Sequence, residues 1–499
     1  MTMHDADAAL AAAYEAGRAG VITATLVADL ETPVSAYLKL AATRAGNMFL
    51  LESVEGGAQR GRYSMIGLDP DLIWRCKGER AGINRQPRAT PEAFVDEPGR
   101  PLDALRALLK ESRIDLPESL PPMAAGVFGY LGYDMVRRME RLAPAKPDPI
   151  GVPDALLIRP TVMVVFDAVR DEMWIVTPVR PKPGIGAKAA IEAAHSRLES
   201  VVAALEAPLD HKPAAVDAGL VAAEGVSNTS EPEFLAMVAK ARDYIAAGDA
   251  FQIVLSQRFE SRFDLPAFSL YRALRRVNPS PYLCYLDFGD FQVVVSSPEI
   301  LVRVKAGKVV VRPIAGTRWR GATPAEDARL AEELLADPKE RAEHLMLLDL
   351  GRNDVGRVAK IGTVKVTDSF FVERYSHVMH IVSNVEGELR DDRDVVDALA
   401  AGFPAGTVSG APKIRALEII QELEPHKRNI YAGAIGYIGW WGDADTAIAI
   451  RTAVIQDGRL HVQAGGGIVY DSDPAAEWEE TMNKGRALFR AVAQAAGGL

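Results

Sequence analysis

The chain has 499 residues and a formal net charge of -10; 48% of the residues are hydrophobic and 25% are charged. This composition is typical of a soluble globular protein, and the acidic balance argues against a nucleic-acid surface, which requires a basic stripe. The 2 cysteines, Cys76 and Cys284, form neither a CxxC nor a Cys/His metal pattern, which argues against a zinc site and indicates a reducing compartment.

The N-terminal segment "MTMHDADAALAAAYEAGRAG" is acidic and lacks the basic start and the apolar core of a signal peptide. No stretch reaches the roughly 20 apolar residues of a membrane-spanning helix. The sequence therefore predicts a cytoplasmic protein that binds neither a membrane nor a nucleic acid.

Three regions follow one another along the chain. Residues 1–180 alternate turns with β-like runs such as "NMFLLES" and "AAGVFGYLGY", which predicts an N-terminal β-rich region. Residues 181–229 shift to Pro, Gly and Ala around one amphipathic helix, which predicts a connector. Ser230 and Glu233 then form a capping-box pattern that opens a helix ending at Gly248.

The remainder, 230–499, interleaves helices with hairpins. The predicted elements are a strand in "AFQIVLSQRF", a helix near 266–277, a β-meander, a helix over 324–350, strands at 363–373 and 378–387, a helix over 410–424, three strands over 432–469, and a helix over 474–496. A regular βαβ rhythm is missing from this pattern. The predicted fold class is therefore α+β with large antiparallel sheets.

The stretch "KERAEHLMLLDLGRND" places Glu340 and Glu343 three residues apart on one helix face. One interpretation is local: Asp337 is the N-cap, Pro338 the first helical residue, and Glu340 bonds back to the cap. Glu343 is harder to explain in this way, because it precedes the apolar run "LMLLDL", where a lone buried charge is costly.

A second helix repeats the spacing. In "SDPAAEWEETMNKGRA", Glu477 and Glu480 are again three residues apart, and Lys484 lies one turn after Glu480. The alternative is a solvated face with an ordinary Glu480–Lys484 pair. Four carboxylates facing one another repel unless a cation lies between them. Oxygen ligands alone favour Mg²⁺, so a shared magnesium site is a hypothesis beside the structural one.

Several spaced motifs surround these carboxylates: "PIAGTR" (313–318), "YSHVMHIVSNVEG" (375–387), "GTVSGAPK" (406–413), "YAGAIGY" (431–437), "AIAIRTA" (447–453) and "QAGGGIV" (463–469). Together they resemble the chorismate-utilising enzymes, in order from about residue 230 to the C-terminus. The resemblance implies a fold of α/β/β/α layers, with 230–499 as the chorismate-binding catalytic domain.

Within the family, the chain is similar to the anthranilate-forming branch. Gln252 stands where the water-adding members have a lysine base, so ammonia is the expected nucleophile. Ala315 stands where many aminodeoxychorismate-forming members have a nucleophilic lysine. "LLESVE" (50–55) and "NPSPYLCYL" (278–286) resemble segments that bind the inhibitor L-tryptophan. The inhibitor-binding residues implied are Ser53, Glu52, Pro281, Tyr282, Leu283 and Tyr437.

The resemblance also implies a role for each motif residue. Glu343 and Glu480 are the expected Mg²⁺ ligands, with Glu340 and Glu477 orienting them. The expected substrate-binding residues are Gly316, Thr317, Tyr431, Arg451, Gly465, Gly466, Gly467 and Lys484. Glu299 is the expected general acid, His380 acts in the loss of pyruvate, and Thr407 and Gln252 complete the expected catalytic set.

The implied reaction converts chorismate and ammonia to anthranilate and pyruvate, the first step of tryptophan synthesis, under feedback inhibition by L-tryptophan. The chain lacks the Gly-flanked nucleophilic cysteine of an amidotransferase, so a separate glutamine amidotransferase subunit, component II, is the expected partner, with two copies of each chain. The alternatives are an aminodeoxychorismate-forming enzyme of the folate pathway and a non-catalytic tryptophan-sensing subunit.

Overall fold

The computed structural model describes residues 3–44, 46–55, 59–210, 224–375 and 378–497. The helices are α1 (Met3–Glu15), α2 (Pro33–Ala41), α3 (Pro101–Glu111), α4 (Ala187–Glu206), α5 (Glu231–Ala246), α6 (Ala267–Val277), α7 (Pro324–Ala336), α8 (Pro338–Gly356), α9 (Val395–Gly402), α10 (Lys413–Leu423) and α11 (Pro474–Ala496). Short 3-10 turns occur at Pro122–Ala124, Tyr133–Arg138 and Gly406–Val408.

The strands span both the N-terminal and the C-terminal region. They are β1 (Gly20–Val27), β2 (Met48–Glu55), β3 (Gln59–Leu68), β4 (Leu72–Lys77), β5 (Arg80–Asn84), β6 (Val95–Asp96), β7 (Gly126–Leu131), β8 (Ala155–Arg159), β9 (Val162–Asp167), β10 (Glu172–Val179), β11 (Val226–Ser227), β12 (Gln252–Arg262), β13 (Tyr282–Asp287), β14 (Phe291–Ser297), β15 (Ile300–Lys305), β16 (Lys308–Val311), β17 (Ile314–Trp319), β18 (Lys365–Arg374), β19 (Val378–Glu388), β20 (Gly410–Ala411), β21 (Ala434–Gly439), β22 (Ala444–Ile448), β23 (Thr452–Gln456) and β24 (Arg459–Ile468).

These strands form two antiparallel sheets. The first has the order β1-β10-β9-β3-β2-β13-β14-β23-β24-β12-β11, with β20 beside β12; the second has the order β17-β19-β16-β15-β22-β21-β7-β8-β4-β5-β6, with β18 beside β19. In the first sheet β2 pairs with β13, and in the second β7 pairs with β21. The division into 1–180, 181–229 and 230–499 stays a prediction, but its two outer regions share both sheets.

The two sheets pack face to face, with helices on their outer faces. Phe49 of the first sheet stacks on Phe128 of the second, with ring centroids 4.5 Å apart. The outer face of the first sheet packs against α2, α6 and α11, and helices including α3, α8 and α9 pack in the core that includes the second sheet. The predicted α+β fold with α/β/β/α layers is confirmed.

Most predicted helices of the C-terminal region are confirmed. The capping box of α5 forms, because the Glu233 carboxylate accepts a hydrogen bond of 2.8 Å from the Ser230 backbone N–H. The final helix spans 474–496 as predicted. Within the described ranges, every helix is too short or too polar to traverse a lipid bilayer.

Two predictions of secondary structure are wrong. The single helix over 324–350 is two helices, because Asp337 has an extended backbone and Pro338 starts a new helix. The region 432–469 contains four strands instead of three. The apolar run is interrupted at Arg451, whose φ of 49° is left-handed and separates β22 from β23.

Candidate active site

A buried carboxyl group lies just before β15. Glu299 is 4% exposed, and its Oε1 accepts a hydrogen bond of 2.7 Å from the hydroxyl of Thr407, in the 3-10 turn. Burial raises the pKa of Glu299 to about 8, although the Thr407 hydroxyl, the Ile314 backbone N–H and the Arg451 charge oppose the shift. Glu299 is therefore protonated near neutral pH and can donate a proton.

A β-bulge orients His380 on the neighbouring strand pair. The register of β17 and β19 shifts between Ala315 and Thr317, where Gly316 has a φ of 67°. His380 Nδ1 lies 2.9 Å from the Gly316 carbonyl oxygen and 3.1 Å from Thr317 Oγ1. A carbonyl can only accept, so Nδ1 has the proton and Nε2 a free lone pair. Burial lowers the pKa of His380 to about 4, which keeps the ring neutral.

Arg451 connects these two groups electrostatically. Its positive charge lowers the pKa of Glu299 and that of His380, so the guanidinium lies near both. Its Nη1 is 3.4 Å from the side-chain oxygen of Asn278, and burial lowers its own pKa. A guanidinium that makes one long side-chain hydrogen bond within the described part of the chain is suited to a substrate carboxylate.

Three glycines of β24, Gly465, Gly466 and Gly467, are called the glycine strand below. A Cβ at Gly465 would lie 2.9 Å from the hydroxyl of Tyr431, and one at Gly467 would lie 2.3 Å from Nε2 of Gln252. At Gly465 a Cβ would also lie 2.7 Å from the backbone oxygen of Leu255, so only glycine fits there, whereas at Gly467 a Cβ would displace the end of the Gln252 side chain. Gln252 is 4% exposed, and its Oε1 has no hydrogen-bond partner among the described residues.

The carboxylates of α8 and α11 lie near enough to one another to interact electrostatically. The pKa of Glu343 is raised by burial and then by the charges of Glu340 and Glu480. Burial also raises the pKa of Glu477, despite a hydrogen bond of 2.6 Å from Ser472 to its Oε1. The other oxygen of Glu477 is buried and has no partner within the described part of the chain.

One local prediction at α8 is wrong in part. Asp337 caps the helix as predicted, accepting hydrogen bonds of 3.0 Å and 3.3 Å from the backbone N–H groups of Lys339 and Glu340. The Glu340 carboxylate does not bond back to the cap. It accepts a hydrogen bond of 3.1 Å from Arg318, which also donates to Asp337 at 2.7 Å, because a guanidinium outcompetes a backbone amide for a carboxylate.

The predicted pair on α11 is also present. Lys484 Nζ lies 2.7 Å from Glu480 Oε1 and donates to the Gly465 carbonyl at 2.8 Å. The same lysine therefore neutralises part of the carboxylate cluster and contacts the glycine strand. A Cβ at Gly466 would lie 3.0 Å from Glu477 Oε2 and 3.8 Å from Glu480 Oε1, so the α11 carboxylates face this strand directly.

The donor set fits a magnesium ion held partly by substrate. Among the described residues, no three His, Cys, Asp or Glu side chains are grouped closely enough to hold a metal ion. Mg²⁺ commonly takes one or two carboxylates and fills its other positions with water and substrate oxygens. The repulsion between Glu343 and Glu480 and the unpartnered Oε2 of Glu477 are the features that such an ion would relieve.

A cavity of about 860 Å³ lies between the two sheets. Its lining includes Ser53, Pro281, Tyr282 and Tyr437, four of the predicted inhibitor-binding residues. The Leu283 side chain points away from it, into the core against α6, because successive side chains of β13 face opposite ways.

The Glu52 side chain borders the same cavity but its carboxylate is turned to α6. It accepts hydrogen bonds of 2.8 Å and 3.0 Å from Arg275 and a further one from Tyr271. The carboxylate is thus already bound within the protein.

Sequence reasoning missed the polar side of this cavity. The Tyr282 hydroxyl donates to Asp445 at 2.7 Å and accepts from Arg303 at 2.9 Å. The signal available in the sequence was an arginine in the otherwise apolar run "ILVRV" of β15.

A family model described as chorismate binding enzyme matches residues 62–490. The chain belongs to the chorismate-binding enzyme family. The predicted resemblance is confirmed, and the match begins inside the N-terminal region, in agreement with the shared sheets.

The relatives within this family include anthranilate synthase component 1 of Cereibacter sphaeroides, 56% identical over 485 residues that cover 97% of this chain and 96% of the relative. Anthranilate synthase component 1 of Pseudomonas aeruginosa is 50% identical over 489 residues and covers 94% of each chain. The branch of the chorismate-binding family that Gln252 and Ala315 indicate is therefore also the branch of these relatives.

Solved structures of the family share the fold. Anthranilate synthase component I from Streptococcus pneumoniae TIGR4 superposes with a TM-score of 0.75 at 39% identity, covering 86% of this chain and 92% of that one. The menaquinone-specific isochorismate synthase MenF from Escherichia coli superposes with a TM-score of 0.71 at 20% identity, covering 96% of each. Because the identity to MenF is only 20%, that likeness concerns the fold alone.

Proposed function

We propose that this chain converts chorismate and ammonia to anthranilate and pyruvate, as an anthranilate synthase component 1 does. The observation that supports this most directly is the Glu299 carboxyl, buried, protonated near neutral pH and hydrogen-bonded to Thr407. Arg451 interacts electrostatically with Glu299 and also with His380, whose ring is neutral. An acid, an anion-binding fork and a neutral imidazole are what the two elimination steps require.

Chorismate has two carboxylates, and the site offers a separate group for each. Arg451 presents a planar fork to the enolpyruvyl carboxylate, with the Tyr431 hydroxyl beside the glycine strand as a second donor. The ring carboxylate lies toward the carboxylate cluster of α8 and α11. Glu343 and Glu480 would hold Mg²⁺ there, with Glu340 and Glu477 orienting them. When bound, Mg²⁺ supplies a template and Lewis acid for the ring carboxylate.

The first step forms a bond between ammonia and C2 of the ring, while the bond from C4 to its hydroxyl breaks. Glu299 gives its proton to the leaving hydroxyl, which departs as water, and the new amine releases a proton. Gln252 cannot act as a base for water, so ammonia, which needs no activation, is the nucleophile.

The second step removes the C2 proton and breaks the ether bond at C3. The electron pair of the C2–H bond rearomatises the ring, and the enolpyruvyl group leaves as pyruvate after taking up a proton. His380 is the positioned group for this half, because Nδ1 has the proton and Nε2, the ring nitrogen without one, can accept a proton or a hydrogen bond.

Partner and regulator complete the proposal. Ammonia comes from a glutamine amidotransferase subunit, component II, in an assembly with two copies of each chain. L-Tryptophan occupies the cavity between the sheets, where Ser53, Pro281, Tyr282 and Tyr437 line the wall. The Arg303–Asp445 ion pair of 2.9 Å adds charged groups that suit an amino acid.

Product analysis tests the proposal. The purified chain, supplied with chorismate, Mg²⁺ and an ammonium salt, is expected to form anthranilate, detected by fluorescence, and an equal amount of pyruvate. A para-substituted aminodeoxychorismate would contradict the proposal and favour the folate-pathway alternative. Isochorismate or salicylate formed without ammonia would contradict the argument from Gln252. Tryptophan binding without any product would favour the sensing subunit.

A further inference from the structure

A buried ion pair lies beneath the candidate active site. Arg428 is 2% exposed and Glu424 is 4% exposed. Arg428 Nε donates to Glu424 Oε2 at 2.8 Å, and Nη2 donates to Oε1 at 2.6 Å, so the pair is bidentate. Neither residue is among the predicted catalytic, substrate-binding or metal-binding residues.

The same guanidinium holds the main chain of two segments of the site. Nη1 donates to the carbonyl of Val408 at 2.6 Å, and Nη2 donates to the carbonyl of Val254 at 2.8 Å. Val408 follows Thr407 in the 3-10 turn, and Val254 lies two residues after Gln252 in β12. A lysine ammonium cannot reach both carbonyls and both carboxylate oxygens from one point.

The carboxylate of the pair extends the network to the glycine strand. Glu424 Oε1 accepts hydrogen bonds of 2.8 Å from both the backbone N–H and the hydroxyl of Ser256. The hydroxyl of Ser256 accepts a hydrogen bond of 2.8 Å from Gln463, and Ser256 pairs with Gly465 across β12 and β24. A displacement of Glu424 would therefore move the strand on which the glycines lie.

The guanidinium of Arg428 also lies close to the ring of Tyr431. Its guanidinium carbon lies 5.7 Å from the centroid of the Tyr431 ring and 4.6 Å from that of Tyr133, within the range of cation–π attraction. The hydroxyl of Tyr431 faces Gly465. Four segments that would contact chorismate are thus attached to one ion pair.

We propose that Arg428 and Glu424 are positioning residues that fix Thr407, Tyr431 and the glycine strand relative to one another. This inference rests on the proposed function. A buried ion pair is weak evidence for stability, because desolvation offsets the attraction. The fork, with four hydrogen bonds to fixed partners, instead defines one geometry, and the hydrogen bond from Thr407 to Glu299 depends on it.

The test compares Arg428→Lys with Arg159→Lys in the full chain. Arg159, the last residue of β8, is a matched control outside the candidate active site. It is 8% exposed and donates hydrogen bonds of 2.7 Å to both Asp71 and Ser112. Arg428→Lys is expected to lower kcat on the order of 100-fold and to raise KM for chorismate.

The same variant is expected to move the alkaline limb of kcat/KM to higher pH, because Glu299 loses the Thr407 hydrogen bond that lowers its pKa. Arg451 and Tyr375 are the groups that face Glu299, and both are unchanged in each variant. Arg159→Lys is expected to retain the kinetic constants and the pH limb of the unmodified chain.

Unchanged kcat, KM and pH limb in Arg428→Lys would overturn the inference, and so would an equal loss in Arg159→Lys. If Arg428→Lys does not fold, Ser256→Ala replaces it. This variant removes the hydrogen bond that the hydroxyl donates to Glu424 and the one that it accepts from Gln463, so kcat/KM is expected to fall by at least about fivefold; no fall would overturn the inference. The rate of the variant relative to the unmodified chain tests the positioning role, whichever product forms from chorismate. The identity of that product tests the proposed function separately.

Discussion

At the scale of single residues, the chemistry depends on keeping one carboxyl protonated. Burial raises the pKa of Glu299 to about 8, and the Thr407 hydroxyl limits the shift by bonding to the ionised form. A general acid is active only while protonated, so activity that depends on Glu299 is expected to fall as the pH rises through about 8. The unusual pKa and the proton-donor role thus have the same cause.

Thr407→Val tests this balance. The variant retains the shape of the side chain and removes the hydroxyl that donates to Glu299 at 2.7 Å. The pKa of Glu299 then rises further, so the alkaline limb of kcat/KM is expected to move up by about one pH unit, with a lower kcat because the acid is weaker. Thr407→Ser retains the hydroxyl and serves as the control. A limb that stays in place in Thr407→Val would contradict the role of Glu299.

At the scale of elements, α8 and α11 bring together carboxylates that repel one another. Glu343 on α8 has its pKa raised by Glu340 and by Glu480 of α11, after the larger effect of burial. A divalent cation bound between these carboxylates would relieve the repulsion and link the two helices. Metal binding is therefore expected to stabilise the folded chain in the absence of substrate.

Mg²⁺ at ten times its dissociation constant is expected to raise the thermal midpoint by about 1 to 2 °C. Glu480→Gln is expected to abolish both this rise and Mg²⁺-dependent turnover. Glu479→Gln is the matched control, because the neighbouring Glu479 pairs with Arg486 at 2.6 Å on an exposed face of the same helix. Equal responses of the two variants to Mg²⁺, followed by calorimetry, would rule out the metal assignment.

The far end of α8 is held by a second buried pair. Lys413 Nζ, on α10, lies 2.9 Å and 2.8 Å from the two carboxylate oxygens of Asp354. Lys413→Met leaves a buried carboxylate unpaired, and a loss of about 3 to 5 kcal/mol in the free energy of unfolding is expected. Adding Asp354→Leu should recover most of it, as urea denaturation would show.

Lys360→Met is the control, because its ion pair with Asp391 is exposed and should leave the unfolding curve in place. If Lys413→Met unfolded at the same urea concentration as this control, the buried pair would not hold α8.

Local sequence signals predicted where these helices lie along the chain better than they predicted the contacts that the helices make. The spacing predicted helices for Glu343 and Glu480, and the two carboxylates do interact electrostatically. The break at Pro338 was visible, yet the apolar periodicity on both sides of it favoured one long helix. The Arg428–Glu424 pair left no signal, because its i,i+4 spacing is the same as that of an ordinary exposed pair.

At the scale of the whole molecule, the cavity of about 860 Å³ is lined by both sheets and by residues of both the N-terminal and the C-terminal region. Ser53 comes from β2 and Tyr437 from β21. A ligand between two sheets can favour one relative placement of them over another, which is how a regulator acts on a distant site. Long-range pairing of this kind leaves no trace in local periodicity, so the sequence did not predict the shared sheets.

Ser53→Phe is expected to fill part of this cavity. The inhibition constant for L-tryptophan should rise by at least about tenfold, equivalent to the loss of ~1.4 kcal/mol of binding, while ammonia-dependent kcat changes little. Tyr285→Phe, which removes a hydroxyl on the opposite face of β13, should leave inhibition unchanged. Inhibition that survives in Ser53→Phe would place tryptophan elsewhere.

The pairing of β2 with β13 also determines how late in synthesis on the ribosome this part of the first sheet can form. More than 200 residues separate Glu55 from Tyr282, and at 5 to 20 residues per second the ribosome needs on the order of 10 to 50 s to add them. During that interval the apolar edge of β2 lacks its later neighbour and is open to strands of other chains. The nascent chain is thus most exposed to aggregation at this edge before β13 emerges, and a chaperone would be of most use in that window.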